Sequence, residues 1–316
     1  MNENTFTFRP SEWIPVKDKK ILDYCRNIRR DEMETLPHPC EDYKVRVVPN
    51  PSSAITAELF NWVWRSDLED RKTVIIFPNS WKEIYSAVGR MCNENNISAR
   101  NIHAFCMDEW ADADGNVAPI SYAPSLGGEF LRHFYMSFRP DLRPPLEQMH
   151  YYTNENIEHY SDLIEETGDG GADLIISATG WIGHTAFIDP MSKAFQADSL
   201  EEFLTLGARF VDNHRLTIIQ NSNAPDFGDC GDLAYTPCCS VSIGPRDIYH
   251  ARDHLERHDL GFLGGYSSWE RMISRLQLYG PVTKDVPASI YQLSKGTIYV
   301  SEDMARPIER HELIDY

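Results

Sequence analysis

The stretch "DLIISATGWIGHTAFIDP", residues 173–190, decides the fold. Its first half is an apolar run with the length and composition of a buried strand. Its second half opens on Gly180 and Gly183, carries one histidine, His184, and reaches Asp189 just before Pro190. A strand that runs out into glycines and a histidine sets that histidine at a carboxyl end, where α/β sheets bind ligands.

The chain around it alternates in the same way. "SSAITAELFNWVWRSDLED" (52–70) predicts a helix, "KTVIIFP" (72–78) a strand and "SWKEIYSAVGRMCNENN" (80–96) a helix. "IHAFCMDEW" (102–110) predicts one strand ending in two acids, Asp108 and Glu109. "EEFLTLGARFV" (201–211) and "VPASIYQLSK" (286–295) suggest helices, "LTIIQ" (216–220) a short apolar segment, and "GTIYVSED" (296–303) a last strand. Strands alternating with helices give an α/β fold, a mostly parallel sheet with helices on both faces. Residues 1–50 are expected to be an N-terminal extension, with a helix capped by Ser11, and residues 51–316 a single α/β domain. "NSNAPDFGDCGDLAYTP" (221–237) has the composition of a long loop.

Composition excludes several classes. The 316 residues carry a formal net charge of −18, which disfavours nucleic acid as a partner. No apolar run is long enough to span a membrane, and the N-terminus does not resemble a signal peptide. Seven cysteines without CxxC spacing suggest reduced thiols in a cytoplasmic protein. "YHARDHLERHDL" (249–260) spaces His250, His254 and His258 so that they share one face of a helix. A charged, solvated helix surface explains this better than a metal site, since three ligands over two turns do not converge on one ion. Trp62 and Trp64 are expected to pack, and "NIS" (96–98) to be a helix-to-strand turn.

Three loops leave strands and carry polar side chains: 77–82, 106–110 and 180–190. Asp108, at a strand end, suits a general base. His184 suits an acid/base catalyst held by a carboxylate such as Asp189. Gly180 and Gly183 let backbone amides approach a ligand.

"FCMDEW", "ISY", "GWIGHTAFIDP", "VSIGPRDI" and "VPASIYQLSKGTIYVSED" together resemble the glucosamine-6-phosphate deaminase/isomerase family, with 6-phosphogluconolactonases as relatives sharing "GHTA". The resemblance covers roughly residues 55–305. It implies a Rossmann-like fold, a homo-oligomer, and conversion of an amino-sugar phosphate to a ketose phosphate with release of ammonia, a reaction of the hydrolase class. Asp108 then matches the C1/C2 proton shuttle and His184 the ring-opening histidine. Asp189 matches a glutamate that orients it, on a shorter stem. No metal or organic cofactor is needed. Asn79, Ser80, Lys82, Glu109, Gly180 and Gly183 become the expected substrate contacts.

The departures are specific. Ile182 stands where the family has an aspartate before its Gly-His pair. The phosphate loop, normally rich in glycine and threonine, here reads "FPNSWKEIY", and Trp81 offers a flat face suited to stacking on a sugar. A lysine expected in the later loop is missing from "GFLGGYSSWERM" (261–272). Lys82, Arg209 and Arg215 are the candidates to compensate. A sugar isomerase/deaminase, a sugar lactonase and a non-catalytic sugar-binding relative are the competing functions.

Overall fold

Strand β2 (Thr73–Phe77) is buried along its whole length. Its side chains alternate between two cores, Val74 and Ile76 in one, Ile75 and Phe77 in the other. Burial on both faces is the mark of a parallel sheet between helical layers. The computed structural model describes residues 9–78, 81–178, 180–228, 230–259 and 270–308. The other strands of the main sheet are β1 (Tyr43–Val48), β3 (Ile102–Cys106), β5 (Met149–His150), β6 (Leu174–Ala178), β9 (His254–His258) and β10 (Gly296–Ser301). These seven run in the order β1-β10-β9-β6-β2-β3-β5, and every pairing is parallel. A small antiparallel sheet, β4-β8-β7, joins β4 (Asp108–Ala111), β7 (Arg209–Asp212) and β8 (Cys239–Ser242).

Helices α2 (Pro51–Leu68), α3 (Lys82–Asn95) and α4 (Leu126–His133) pack Ile55, Leu59, Val88 and Phe130 on one face. The opposite face is covered by α5 (Tyr160–Thr167), α6 (Leu200–Phe203), α8 (Pro245–Tyr249), α9 (Glu270–Tyr279), α10 (Glu302–Ala305) and a 3-10 helix, Pro287–Leu293. Helix α1 (Lys19–Asn27) lies against α9, and α7 (Arg215–Ser222) follows β7. Asn50 accepts from the amide of Ser53 to start α2, and Asn96, with φ 53°, ends α3. No described helix is long and apolar enough to cross a membrane.

The chain leaves β2 for β3 on one side, while β6 leads on to β9 on the other. Adjacent strands β2 and β6 therefore send their exit loops apart and open a crevice at their carboxyl ends. The 77–82 and 180–190 loops start there.

Several expectations are corrected. The expected extension over residues 1–50 is corrected for its described part from Ile28 to Val48, because β1 pairs with β10 along its whole length and Ile28 and Met33 join the main core. Asp18, rather than Ser11, caps the first helix. "IHAFCMDEW" breaks at Met107 into β3 and β4, which belong to different sheets. Residues 216–220 lie in α7, and 201–211 split into α6 and β7. The histidine-rich segment 249–260 is not a solvated helix: His254–His258 form a central strand, with His254, Glu256 and His258 buried. Its alternating polar side chains are matched by polar partners on neighbouring elements rather than by water.

Candidate active site

Strand β6 ends at Ala178, and the loop that follows turns on itself. The Gly183 amide donates to the Gly180 carbonyl at 3.1 Å. Gly183 has φ +80°, and a Cβ there would stand 2.8 Å from Val286 Cγ1. The 3-10 segment buttresses this turn, with the Ala288 amide donating to the Gly183 carbonyl at 3.0 Å. Ala186 is held at φ 48°, a conformation that non-glycine residues rarely adopt. A Cβ on Gly180 would fall 2.2 Å from the His184 ring, so this glycine makes room for the imidazole. The loop is thus shaped around one side chain.

His184 is 6% exposed. Its Nδ1 lies 3.1 Å from Thr217 Oγ1 and 3.3 Å from Asp189 Oδ1. The Thr217 hydroxyl donates to Asp189 Oδ1 at 2.6 Å, and the His214 amide donates to Asp189 Oδ2 at 2.6 Å. With the hydroxyl proton committed to Asp189, Thr217 Oγ1 must accept from His184 Nδ1–H. The tautomer that follows leaves Nε2 with a lone pair. Burial, aided by nearby His214, lowers the His184 pKa to about 4. Burial raises Asp189 to about 6 against the bonds from Thr217 and His214. The imidazole is therefore neutral at pH 7, ready to accept a proton. Thr217 supplies the reach that the short stem of Asp189 lacks. No sequence motif points to it, because it arrives on α7 from what reads as no more than a short apolar segment.

Asp108 opens β4 immediately after β3 and is 7% exposed. In the ladder it faces Ser242, whose hydroxyl accepts from the Phe187 amide at 3.1 Å. One residue thus ties the Asp108 strand to the His184 loop. The result is a single cavity at the β2/β6 crevice, lined among others by Asp108, Gly180, His184, Asp226, Arg257 and Asp259.

The remaining expected contacts divide. Asn79 and Ser80 lie outside the described residues. Gly180 lines the cavity, whereas Gly183 shapes the turn beneath it. Glu109 is corrected from substrate contact to helix cap. Its carboxylate accepts from the Ser125 hydroxyl and from the amides of Trp110, Leu126 and Gly127, all within 2.9 Å, at the start of α4. Burial nevertheless raises its pKa. Lys82 bonds Asp226 at 2.7 Å and Glu129 at 3.1 Å. Burial works against its charge, and these two carboxylates outweigh it and raise its pKa. Arg209 binds the carbonyls of Gly207 and Ala194, and Arg215 is exposed. Neither lines the cavity.

The cation that does line it is Arg257, on β9. Its guanidinium stands 4.4 Å over the Trp81 ring, and Nη1 donates to Ser52 Oγ at 3.1 Å. Trp81, 3% exposed, lines the same cavity, with its ring also supporting the Arg257 guanidinium. Burial lowers the Arg257 pKa, opposed chiefly by the charge of Asp259. Glu270, at the start of α9, also feels this charge, and burial pushes its own carboxyl up to about 8. Local pattern hides Arg257, because the histidines around it fall at helical spacing. The α/β alternation, which calls for a strand between residues 211 and 296, was the available signal. Ile182 is buried beside His184, at 8% exposure, and supplies no polar group.

An open parallel sheet with titratable side chains gathered at its switch point defines an α/β protein of Rossmann-like type. The chain is similar to glucosamine-6-phosphate deaminase 2 of Bacillus subtilis (strain 168), at 27% identity over 208 residues, covering 62% of this chain and 69% of that protein. Its fold matches a monomeric glucosamine-6-phosphate deaminase described as the missing link of the NagB superfamily, with a TM-score of 0.63 at 17% identity over 83% of this chain and 98% of that one. It also matches 6-phosphogluconolactonase from Trypanosoma cruzi, with a TM-score of 0.58 at 14% identity over 85% of this chain and 98% of that one. No family model matches the chain. In motifs and fold the chain thus resembles the glucosamine-6-phosphate deaminase/isomerase family and the related 6-phosphogluconolactonases.

Proposed function

We propose that the chain is an aldose–ketose isomerase that deaminates an amino sugar. The observation that supports this most is the meeting of Asp108 and His184, from different strands, in one cavity. His184 Nε2 takes the proton of the sugar's C1 hydroxyl and returns it to the ring oxygen, opening the ring. Asp108 then removes the C2 proton while one proton of the substrate's ammonium group passes to O1, giving a neutral enolamine. The same carboxyl returns the proton to C1. The resulting C2 iminium is hydrolysed by water to a ketone and ammonium, which balances the reaction. Asp189 and Thr217 are positioning residues: they hold the imidazole tautomer that exposes Nε2.

The test is exchange of the C2 proton in deuterated water, followed by NMR. Wild type should exchange it with amino-sugar substrates, and Asp108→Asn should lose about 10²–10⁴-fold. Unchanged exchange in that variant removes Asp108 from the base role. Acid release from a sugar lactone would instead assign a lactonase, and binding without turnover a non-catalytic relative. The homo-oligomer implied by the resemblance is likewise proposed, and light scattering reads it.

A further inference from the structure

We infer that the cavity takes an unphosphorylated amino sugar, bound as a cation, in place of a sugar phosphate. This rests on the isomerase/deaminase reading of Asp108 and His184, and concerns what the rest of the cavity recognises.

Among the described residues, the charges that line the cavity are three carboxylates, Asp108, Asp226 and Asp259, against one guanidinium, Arg257. Each cation near the exit of β2 already faces carboxylates of the protein. Lys82, the first residue of α3, is bonded to Asp226 and Glu129. Arg257 faces Asp259 and Glu83. The start of a helix after the first strand of a crevice is where an anionic ligand is held. Here the anions next to that start are the side chains of Asp226 and Glu129. A phosphate dianion entering the cavity would add two negative charges to this excess and compete with both carboxylates for Lys82. The internal residues beyond the description, 79–80, 179, 229 and 260–269, include no lysine, arginine or histidine that could reverse the balance.

An amino sugar fits the same features. Its ammonium group is attracted by the carboxylates that line the cavity, an attraction that added salt weakens. Its hydroxyl groups can accept from the Arg257 guanidinium and donate to Asp259, an arrangement in which the Trp81 ring holds the guanidinium in place.

The experiment is isothermal titration of the full-length chain with D-glucosamine, D-glucosamine 6-phosphate, D-glucose and inorganic phosphate, at low and high salt. Glucosamine should bind at least tenfold tighter than its 6-phosphate and than glucose, and should weaken as salt rises. Asp226→Asn combined with Glu129→Gln frees Lys82, and should move the preference about tenfold toward the phosphate ester. Circular dichroism checks that this variant is folded, and the salt dependence of the wild type stands without it. Tighter binding of the 6-phosphate, glucosamine no tighter than glucose, or binding of neither amino sugar overturns the inference. Turnover of a tightly bound 6-phosphate would do so while leaving the deaminase reading intact. Glucosamine binding without C2 exchange would uphold this inference and overturn that reading.

Discussion

The molecule buries two histidines in similar company. His184 has a hydroxyl, Thr217, 3.1 Å from Nδ1 and a carboxylate, Asp189, at 3.3 Å. His258 has a hydroxyl, Ser274, 2.8 Å from Nδ1 and a carboxylate, Glu256, 3.6 Å from Nε2. The difference lies in the second nitrogen. Nε2 of His258 is also met by Gln277 at 3.2 Å, and Gln277 and Ser177 both donate to Glu256 at 2.9 Å. That cluster is closed on itself between β9, β6 and α9. His184 instead belongs to the lining of the cavity and keeps a nitrogen free of the positioning bonds. A buried histidine with a hydroxyl and a carboxylate is thus no sign of catalysis. The unspent nitrogen on an accessible wall is.

The sharpest way to break this contrast is to replace each histidine by glutamine. His184→Gln should lower turnover of the amino sugar by about 10²–10⁴-fold, with the loss partly relieved for a substrate that opens its ring readily. His258→Gln should leave turnover within a few-fold of wild type and lower stability by about 1–3 kcal/mol, because it leaves buried polar partners unsatisfied. Steady-state kinetics with urea unfolding of both variants decide it. A His258 variant that is stable but inactive would put the closed cluster in the reaction.

A smaller effect is expected from the wall that holds the ring. Gly180→Ala puts a methyl group 2.2 Å from the His184 imidazole, and the ring must shift. A displaced acid/base group costs about 10²-fold in turnover when it moves by an ångström. Another buried histidine offers a control: a Cβ on Gly296 would fall 2.3 Å from the ring of His254, at the opposite end of β9 from His258. Gly296→Ala should register in thermal unfolding and spare kcat. Equal effects of the two substitutions on kcat would erase the distinction between the sites.

How far these sites were legible differs for the same reason. β2 and β6 carry uninterrupted apolar runs, so the α/β sheet and the two loops that flank the crevice could be read directly. Asp108 and His184 lie within a few residues of the ends of β3 and β6, and motif resemblance sharpens their roles. β9 carries a polar or titratable side chain at every position but Leu255. Its histidines also fall at helical spacing, so local pattern pointed to a solvated helix and hid both Arg257 and the His258 cluster. The buried partners that make this strand tolerable, Ser177, Ser274 and Gln277, come from β6 and α9, far along the chain. Thr217 was hidden likewise, since its meaning depends on a fold that brings α7 against Asp189. β1 lay inside a segment set aside as an extension because the parallel strand it pairs with is at the other end of the chain.

The finest test concerns protons. Asp189 has its pKa raised to about 6 and His184 has its own lowered to about 4. Above pH 6 Asp189 accepts the Thr217 proton, Thr217 accepts from Nδ1–H, and Nε2 is a base. Below pH 6 Asp189 gains a proton and can donate. The Thr217 hydroxyl then turns round to donate to Nδ1, and the neutral imidazole carries its proton on Nε2. The base-dependent limb of kcat/KM should therefore fall with a midpoint near pH 6, well before the imidazole itself titrates. Thr217→Val disconnects the relay and should move that midpoint while leaving a neutral imidazole in place. The same pair shapes stability. Asp189, with its folded pKa raised, contributes stability that is full below its unfolded value of about 3.9 and lost as pH rises through about 6. His184, with its folded pKa lowered, contributes stability that is full above about 6.5 and lost as pH falls toward about 4. Between these limits the two slopes oppose, so their joint contribution to unfolding free energy should be nearly flat from pH 4.5 to 6, a range set by the values of about 4 and about 6. Asp189→Asn removes one slope and leaves the other. Relative to wild type, that variant should lose stability on acidification at about 1.4 kcal/mol per pH unit over the same interval, seen by urea unfolding at its two ends. A variant that tracks the wild-type pH dependence in parallel would show that Asp189 does not titrate there, and the proposed turn of the Thr217 hydroxyl would have no cause.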